Sequence, residues 1–73
     1  MVISGQIISV QEQRFRVQTE HGQVYLLTLG RHAAIDNGTL GELHRRGARV
    51  EVSYTGQPNM ADGIAQHVRE PER

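Results

Sequence analysis

Five short runs with β-strand character, divided into three and two by one helical segment, dominate this chain of 73 residues. Three runs follow one another between residues 2 and 29, and two more lie between residues 48 and 68. The second run shows the pattern most clearly, because Phe15, Val17 and Thr19 alternate with polar residues. A period of two is typical of a strand with one buried face. The sequence therefore predicts an all-β domain whose sheet buries one face of each strand.

One short helix is predicted between the third and fourth runs. The segment from Thr39 to Glu42 matches a capping box, with Thr39 as the N-cap and Glu42 at the third helical position. Residues 45–47 place two arginines and then a glycine at the other end, where cations stabilise a helix and glycine ends it. A helix of about two turns is too short to be stable alone. We therefore expect Leu40 and Leu43 to insert into an open end of the sheet.

The order of three strands, one helix and two strands is the plan of a five-stranded barrel of the oligonucleotide-binding (OB) type. A closed barrel suits a chain without cysteine, because closure buries one face of every strand without disulfides or a second layer. Gly5, inside the first strand, predicts a bend or bulge there. An SH3-like barrel is the alternative, since it is also small and five-stranded. The inward-facing residues that form the predicted core are Phe15, Val17, Leu27, Val50 and Val52.

Several segments of the chain resemble the S1-like family of OB domains. They are Gly5–Val10, Phe15–Val17 together with Gly22, Gly47–Val52 and Gly63–Arg69. In layout the chain is most similar to the small bacterial translation initiation factor that consists of one such domain. The resemblance covers nearly the whole chain, and the matched positions are mostly core and turn residues. It implies a bacterial OB protein that contacts RNA through the outer faces of its second and third strands.

The residues that contact RNA in S1-like domains are replaced in this chain. The outer aromatic residues of the second strand correspond to Gln13 and Arg16, and the histidine of the third strand corresponds to Thr28. The aromatic platform on which bases stack is therefore missing. The translation initiation factor is basic and has lysines in its long connection, whereas this chain has Arg31 and His32 there. Arginine side chains are the groups left to contact a nucleic acid.

Arginine supplies all 8 basic residues, which balance 8 acidic residues to give no net charge at pH 7. Two explanations stay open: a genome with GC-rich codons, or a surface that uses the planar guanidinium group to contact phosphates and bases. Residues 31–49 carry four arginines and two carboxylates, a local charge of +2. We expect weak binding of RNA or single-stranded DNA with little sequence preference. The predicted binding residues are Arg14, Arg16, Arg31, His32, Arg45, Arg46 and Arg49.

The third strand supports a different hypothesis, because it is apolar on both faces. If Tyr25, Leu27 and Leu29 face inward, Val24 and Leu26 form an apolar stripe on the outside. Such a stripe is either covered by the barrel's long connection or docks a protein partner or a second copy of the chain. The alternative function is therefore a non-catalytic interaction or assembly module.

Catalysis and cofactor binding find no support in the sequence. The four histidines lack the spacing of metal ligands, and no serine, cysteine or lysine stands in a nucleophile motif. We expect no enzyme activity, metal, cofactor or small-molecule substrate. No apolar run approaches the ~20 residues that span a bilayer, and no basic region precedes an apolar segment, so we expect a cytoplasmic protein without membrane contact. Residues 1–69 are predicted to form one domain, followed by a polar tail at residues 70–73.

Overall fold

The computed structural model describes residues 1–71 as a closed barrel of five strands with one helix. The elements in chain order are β1 (Val2–Gln11), β2 (Arg14–Gln18), β3 (Val24–Leu29), α1 (Asn37–Arg45), β4 (Arg49–Thr55) and β5 (Ile64–Arg69). Around the barrel the order is β1-β2-β3-β5-β4, and β4 pairs again with β1. The β3–β5 pair is parallel and the other pairs are antiparallel. The predicted fold class, a five-stranded OB barrel with a short helix after the third strand, is confirmed. The predicted tail lies partly outside the described residues, since these end at residue 71.

The barrel interior is filled by the alternating side chains that the sequence predicts to face inward. Five of them are at most 1% exposed, namely Phe15, Val17, Leu27, Val50 and Val52. Tyr25, which alternation along β3 also predicts to face inward, is only half-buried. Its hydroxyl donates a hydrogen bond to Gln23 Oε1 at 3.1 Å. Strand β2 ends at Gln18, so Thr19 follows the strand and is half-buried. Because the inward face of the strands is buried in this way, the opposite face lies on the outside of the barrel.

Helix α1 closes one end of the barrel. Leu40 is 0% exposed, and both Leu40 and Leu43 belong to the same buried cluster as the strand residues. The expectation that these two leucines insert into the barrel is confirmed. The predicted end of the helix is confirmed too: Gly47 has a φ of 63°, and its N–H donates to the His44 carbonyl oxygen at 3.0 Å. A left-handed residue at this position lets the chain turn and satisfy a free carbonyl.

The helix begins one residue after Asp36, and the predicted N-cap at Thr39 is wrong. Asp36 has extended backbone, and its Oδ1 accepts hydrogen bonds from Thr39 N at 2.8 Å and from Thr39 Oγ1 at 3.0 Å. Thr39 therefore occupies the third helical position and donates hydrogen bonds to the capping residue, Asp36. Glu42 does not reach back to the helix start but pairs with Arg45. Aspartate is as good an N-cap residue as threonine, and Asp36 takes this role because the helix starts at Asn37.

The bulge in β1 is displaced from the predicted position at Gly5. The pairing of β1 with β2 passes from Ile7 opposite Val17 to Ser9 opposite Arg16, so the extra residue is Ile8. Gly5 is needed for a different reason. A Cβ atom there would lie 2.8 Å from the carbonyl carbon of Gln18 and closer still to its oxygen. Close approach of two backbones, rather than a bulge, therefore requires glycine at this position.

Acidification is expected to remove part of the stabilisation that Asp36 gives to the helix. The hydrogen bonds from Thr39 lower the pKa of the Asp36 carboxyl, because they favour its charged form. A lowered folded-state pKa adds stability above the unfolded-state pKa, and this stability is lost as pH falls through the folded value. We therefore expect the urea midpoint of the wild type to fall more on acidification than that of Asp36→Asn, which caps without titrating. An equal decrease of the urea midpoint in the two proteins as pH falls would contradict this. Asp36→Ala, which lacks a capping side chain, is the reference at neutral pH.

Candidate nucleic-acid interface

Strand β2 presents Arg14 and Arg16 on the outside of the barrel, and both are exposed, as predicted. They are two residues apart on one face, which separates their Cα atoms by about 7 Å along the strand. Arg16 lies between Ser9 of β1 and Leu26 of β3 in the sheet, and its Nη1 donates to Ser9 Oγ at 3.3 Å. The outer face of β2 and β3 therefore combines two cations with polar and apolar neighbours.

Salt bridges divide the predicted arginines into two groups. Arg45, Arg46 and Arg49 each face a carboxylate, and the pairs are Arg45 with Glu42, Arg46 with Glu70 and Arg49 with Glu20. Arg69, which was not predicted to bind, pairs with Glu51 at 2.6 Å. Within residues 1–71, Arg14, Arg16 and Arg31 have no carboxylate within salt-bridge distance. In this part of the chain, the arginines without a carboxylate partner thus come from β2 and from the loop that follows β3.

The pair of Arg46 and Glu70 joins the end of α1 to the segment after β5. Arg46 Nη2 lies 2.5 Å from Glu70 Oε1, and a second hydrogen bond runs from Nη1 to Oε2 at 3.5 Å. These hydrogen bonds lower the pKa of the Glu70 carboxyl and raise that of the Arg46 guanidinium. The carboxylate already occupies N–H groups on both terminal nitrogens of Arg46 and offsets its charge, so the ion pair competes with the predicted phosphate contact.

The loop between β4 and β5, residues 56–63, covers the edge of β3. Asn59 N donates to the Leu26 carbonyl oxygen at 2.9 Å, and Asn59 Oδ1 accepts from Leu26 N at 2.8 Å. Thr28 N donates to the Gly63 carbonyl oxygen at 3.0 Å. Asn59 has a φ of 70°, a conformation that asparagine tolerates better than most residues. This role of Asn59 is not predicted from the sequence, where the Pro58-Asn59 pair indicates only a turn.

A shallow pocket of about 170 Å³ lies between this loop and β3. Its lining combines one guanidinium, two small polar side chains and several apolar groups, from Arg14, Leu26, Leu27, Thr28, Asn59, Met60 and Ala61. Met60 is 62% exposed, so an apolar side chain stands at the edge of the pocket. The pocket brings Arg14 together with loop residues that lie far away in the sequence.

The β1–β2 turn holds the start of β2 in place. Its two residues, Glu12 and Gln13, both have positive φ, at 48° and 69°. The Gln13 N–H donates to Asn37 Oδ1 at 2.9 Å, and the Gln13 carbonyl oxygen accepts from Leu29 N at 2.6 Å. These bonds connect the turn to the beginning of α1 and to the end of β3. Arg14 is the next residue, so the β1–β2 turn, α1 and β3 together fix its position.

The remaining predicted residues lie at different places on the surface. Arg31 and His32 are exposed in the loop after β3, directly beyond Gly30, whose N–H donates to the Ala65 carbonyl oxygen at 2.9 Å. Val24, on the outside of β3, is 39% exposed. Leu26 is half-buried beside Asn59 and is part of the pocket lining. The structure thus covers part of the predicted apolar stripe with the β4–β5 loop and leaves Val24 accessible.

Comparisons of this chain with protein-family models, with curated proteins and with solved structures find no match. The five-stranded barrel is compatible with an OB-like fold on its own geometry. In the described part of the chain, no three histidine, aspartate or glutamate side chains are grouped so that they could hold a metal ion. No helix within residues 1–71 is long and apolar enough to cross a membrane.

Proposed function

We propose that this chain is a non-catalytic, S1-like OB protein that binds RNA or single-stranded DNA weakly and with little sequence preference. The observation that carries the proposal is the grouping of Arg14 and Arg16, without carboxylate partners in residues 1–71, beside the β3 pocket. The outer face of strands 2 and 3, with the loops after strands 1 and 4, is the surface on which OB folds bind oligonucleotides. Arg31, in the loop after β3, adds a third cation that has no carboxylate partner among the described residues.

The roles differ between the two groups of arginines. Arg14, Arg16 and Arg31 are the primary phosphate contacts, because no carboxylate of residues 1–71 pairs with them. Arg45, Arg46 and Arg49 remain secondary candidates, since a glutamate already faces each of them and competes with a phosphate. The absence of outer aromatic residues limits base stacking, which usually contributes about 1–3 kcal/mol per base. Weak, salt-sensitive binding is the consequence.

Binding of a labelled single-stranded oligonucleotide, followed by anisotropy over a salt series, tests the proposal. Three phosphate contacts correspond to a log–log salt slope of about −2, and loss of two contacts reduces it to about −0.7. We therefore expect the double variant Arg14→Gln/Arg16→Gln to bind more weakly and with the shallower slope. The matched control is Arg45→Gln/Arg46→Gln, which removes the same charge from arginines that are already paired.

Two results would contradict the proposal. One is the absence of binding by the wild type at low salt and high micromolar protein. The other is an equal loss of affinity in both double variants, because the decrease would then reflect net charge rather than the β2 face. Circular dichroism of each variant establishes that the barrel is retained.

An interaction module stays the second candidate, supported by the exposure of Val24 on the outer face of β3. This strand pairs with β5 only at Thr28 and Leu29, and Asn59 occupies the edge at Leu26. A partner strand could therefore add beside Val24. Light scattering of the same protein samples distinguishes the candidates: a concentration-dependent dimer that Val24→Glu abolishes supports the module, and a strict monomer argues against self-association.

A further inference from the structure

Strand β3 has a partner strand on only one side for most of its length. It pairs with β2 at every position from Val24 to Thr28, but with β5 only at Thr28 and Leu29. A strand whose N–H and C=O groups lack a neighbouring strand is a template for pairing with another chain. The side of β3 that faces away from β2 is therefore where this barrel is open to the addition of a strand.

The backbone groups on that side belong to alternate residues, because neighbouring residues of a strand direct their N–H and C=O groups to opposite sides. Leu26 N lies 2.8 Å from Asn59 Oδ1, and Thr28 N lies 3.0 Å from the Gly63 carbonyl oxygen, so both residues face away from β2. Val24 follows the same alternation. On that side, its N–H and C=O groups have no hydrogen-bond partner among residues 1–71. We call the backbone groups of Val24 and Leu26 the β3 edge.

Asn59 satisfies Leu26 in the way that a residue of a neighbouring strand would. Its N–H donates to the Leu26 carbonyl oxygen at 2.9 Å. Its side-chain Oδ1 takes the place of a backbone carbonyl oxygen and accepts from the Leu26 N–H at 2.8 Å. The φ of 70° at Asn59 then turns the chain away from an extended path. One residue thus closes half of the β3 edge, and Val24 stays 39% exposed.

The β4–β5 loop holds Asn59 at this position through contacts of its own backbone. Met60 N donates to the Gln57 carbonyl oxygen at 3.2 Å, and Gly63 N donates to the Met60 carbonyl oxygen at 3.1 Å. The two ends of the loop lie against each other, since a Cβ atom at Gly63 would be 2.5 Å from the Gln57 carbonyl oxygen. The loop therefore presents Asn59 to β3 as part of a compact turn.

We propose that Asn59 blocks the pairing of β3 with the β3 strand of a second copy of this chain. Two β3 edges related by a two-fold axis are complementary in the antiparallel direction, because each N–H meets a C=O group of the other copy. With Asn59 in place only Val24 is available, and its hydrogen bonds do not offset the loss of translational and rotational freedom on association. Release of Leu26 doubles the number of hydrogen bonds that the two copies can form.

Charge gives no protection against this pairing. The chain has no net charge at pH 7, so copies do not repel each other as strongly charged proteins do. The neighbours of Val24 across the sheet are Gln18 of β2 and, beyond it, Gln6 of β1, which are both uncharged. Natural sheets often protect an edge with a charged residue or a proline, and β3 contains neither. The contact with Asn59 is therefore the protection that the structure provides.

Analytical ultracentrifugation of Asn59→Pro over a concentration series tests the proposal. Proline has no N–H group and fixes φ at about −65°, so this variant loses both contacts with Leu26. We expect the wild type to remain monomeric and the apparent mass of Asn59→Pro to rise with concentration toward twice the wild-type value. The matched control is Asn59→Pro/Val24→Lys, which should return to the monomer because lysine on an edge strand opposes pairing.

Three results would overturn the proposal. They are a folded Asn59→Pro that stays monomeric at millimolar concentration, a wild type that already dimerises through Val24, and a dimer that persists in Asn59→Pro/Val24→Lys. If circular dichroism shows that Asn59→Pro does not fold, Asn59→Gly decides the question, because it keeps the N–H group and tolerates positive φ but lacks the Oδ1 acceptor. A mass that rises at high concentration then supports the proposal, and a constant mass contradicts it. None of these results depends on oligonucleotide binding, so this inference and the proposed function fail separately.

Discussion

Replacement of Gly5 by alanine is expected to lower the free energy of unfolding by about 3 kcal/mol, at the upper end of the usual cost of overpacking. The new Cβ would lie 2.8 Å from the Gln18 carbonyl carbon and 3.1 Å from the Thr19 Cα. Both are backbone atoms at the end of β2, where Gln18 is paired with Gln6. They cannot rotate away as a flexible side chain would, so the two strands must separate. A chain of this length has about 4–11 kcal/mol of total stability, and such a loss is a large part of it.

The matched control for Gly5→Ala is the same substitution at Gly41, in the middle of α1. A Cβ at this position would lie 3.6 Å from Arg45 Nη1, which is ordinary van der Waals contact. Because alanine favours the helix over glycine, Gly41→Ala should raise stability by about 1 kcal/mol. Urea unfolding followed by circular dichroism measures both variants, since the chain has no tryptophan. A Gly5→Ala variant as stable as the wild type would show that the two backbones do not meet as described.

Truncation of Leu40 to alanine is the second change with a large expected effect. Leu40 is 0% exposed and projects from α1 into the cluster that includes Phe15 and Val50. Replacing a fully buried leucine by alanine lowers the free energy of unfolding by about 2–5 kcal/mol, because apolar burial is lost and a cavity is left behind. We expect much of the Leu40→Ala protein to be unfolded in low concentrations of urea.

Two control variants distinguish the loss of barrel closure by Leu40 from a general loss of apolar surface. Leu40→Met conserves volume and should cost less than about 1.5 kcal/mol. Val24→Ala removes apolar atoms from a residue that is 39% exposed, so its midpoint should lie close to that of the wild type. A mild effect of Leu40→Ala, similar to that of Val24→Ala, would mean that the helix does not close the barrel.

The helix is also connected to the proposed binding face. Asn37, the first helical residue, accepts the Gln13 N–H and so holds the turn that precedes Arg14. Variants that loosen α1 should therefore weaken oligonucleotide binding under conditions in which the strands remain folded. This connection follows from the fold, since residues 13 and 37 are 24 positions apart.

The parts of the fold that could be predicted from sequence are those encoded by local periodicity. Alternation placed Phe15, Val17, Val50 and Val52 inward, because neighbouring side chains of a strand must point to opposite faces. The insertion of Leu40 and Leu43 was predictable because a helix of two turns is unstable without tertiary packing. The exposure of Arg14 and Arg16 follows from the same alternation. Each of these properties depends on residues only a few positions apart.

Local pattern was insufficient where two signals competed or where distant segments meet. Asp36 and Thr39 are both good capping residues, and the start of the helix decides between them. Gly5 is compatible with a bulge as well as with close strand contact, and the pairing with β2 decides that case. The partners of Arg46 and Arg49 are Glu70 and Glu20, which charge counts cannot identify.

The amino-acid sequence by itself determined the strand faces, the apolar core and the presence of a closing helix, because alternation and helix length act over short distances along the chain. Only the tertiary structure decided which arginines stay without a carboxylate partner in residues 1–71 and how Asn59 meets Leu26 to form the pocket beside Arg14. Those features require distant segments to come together, as Leu26 and Asn59 do across 33 positions, and barrel closure is what brings them into contact.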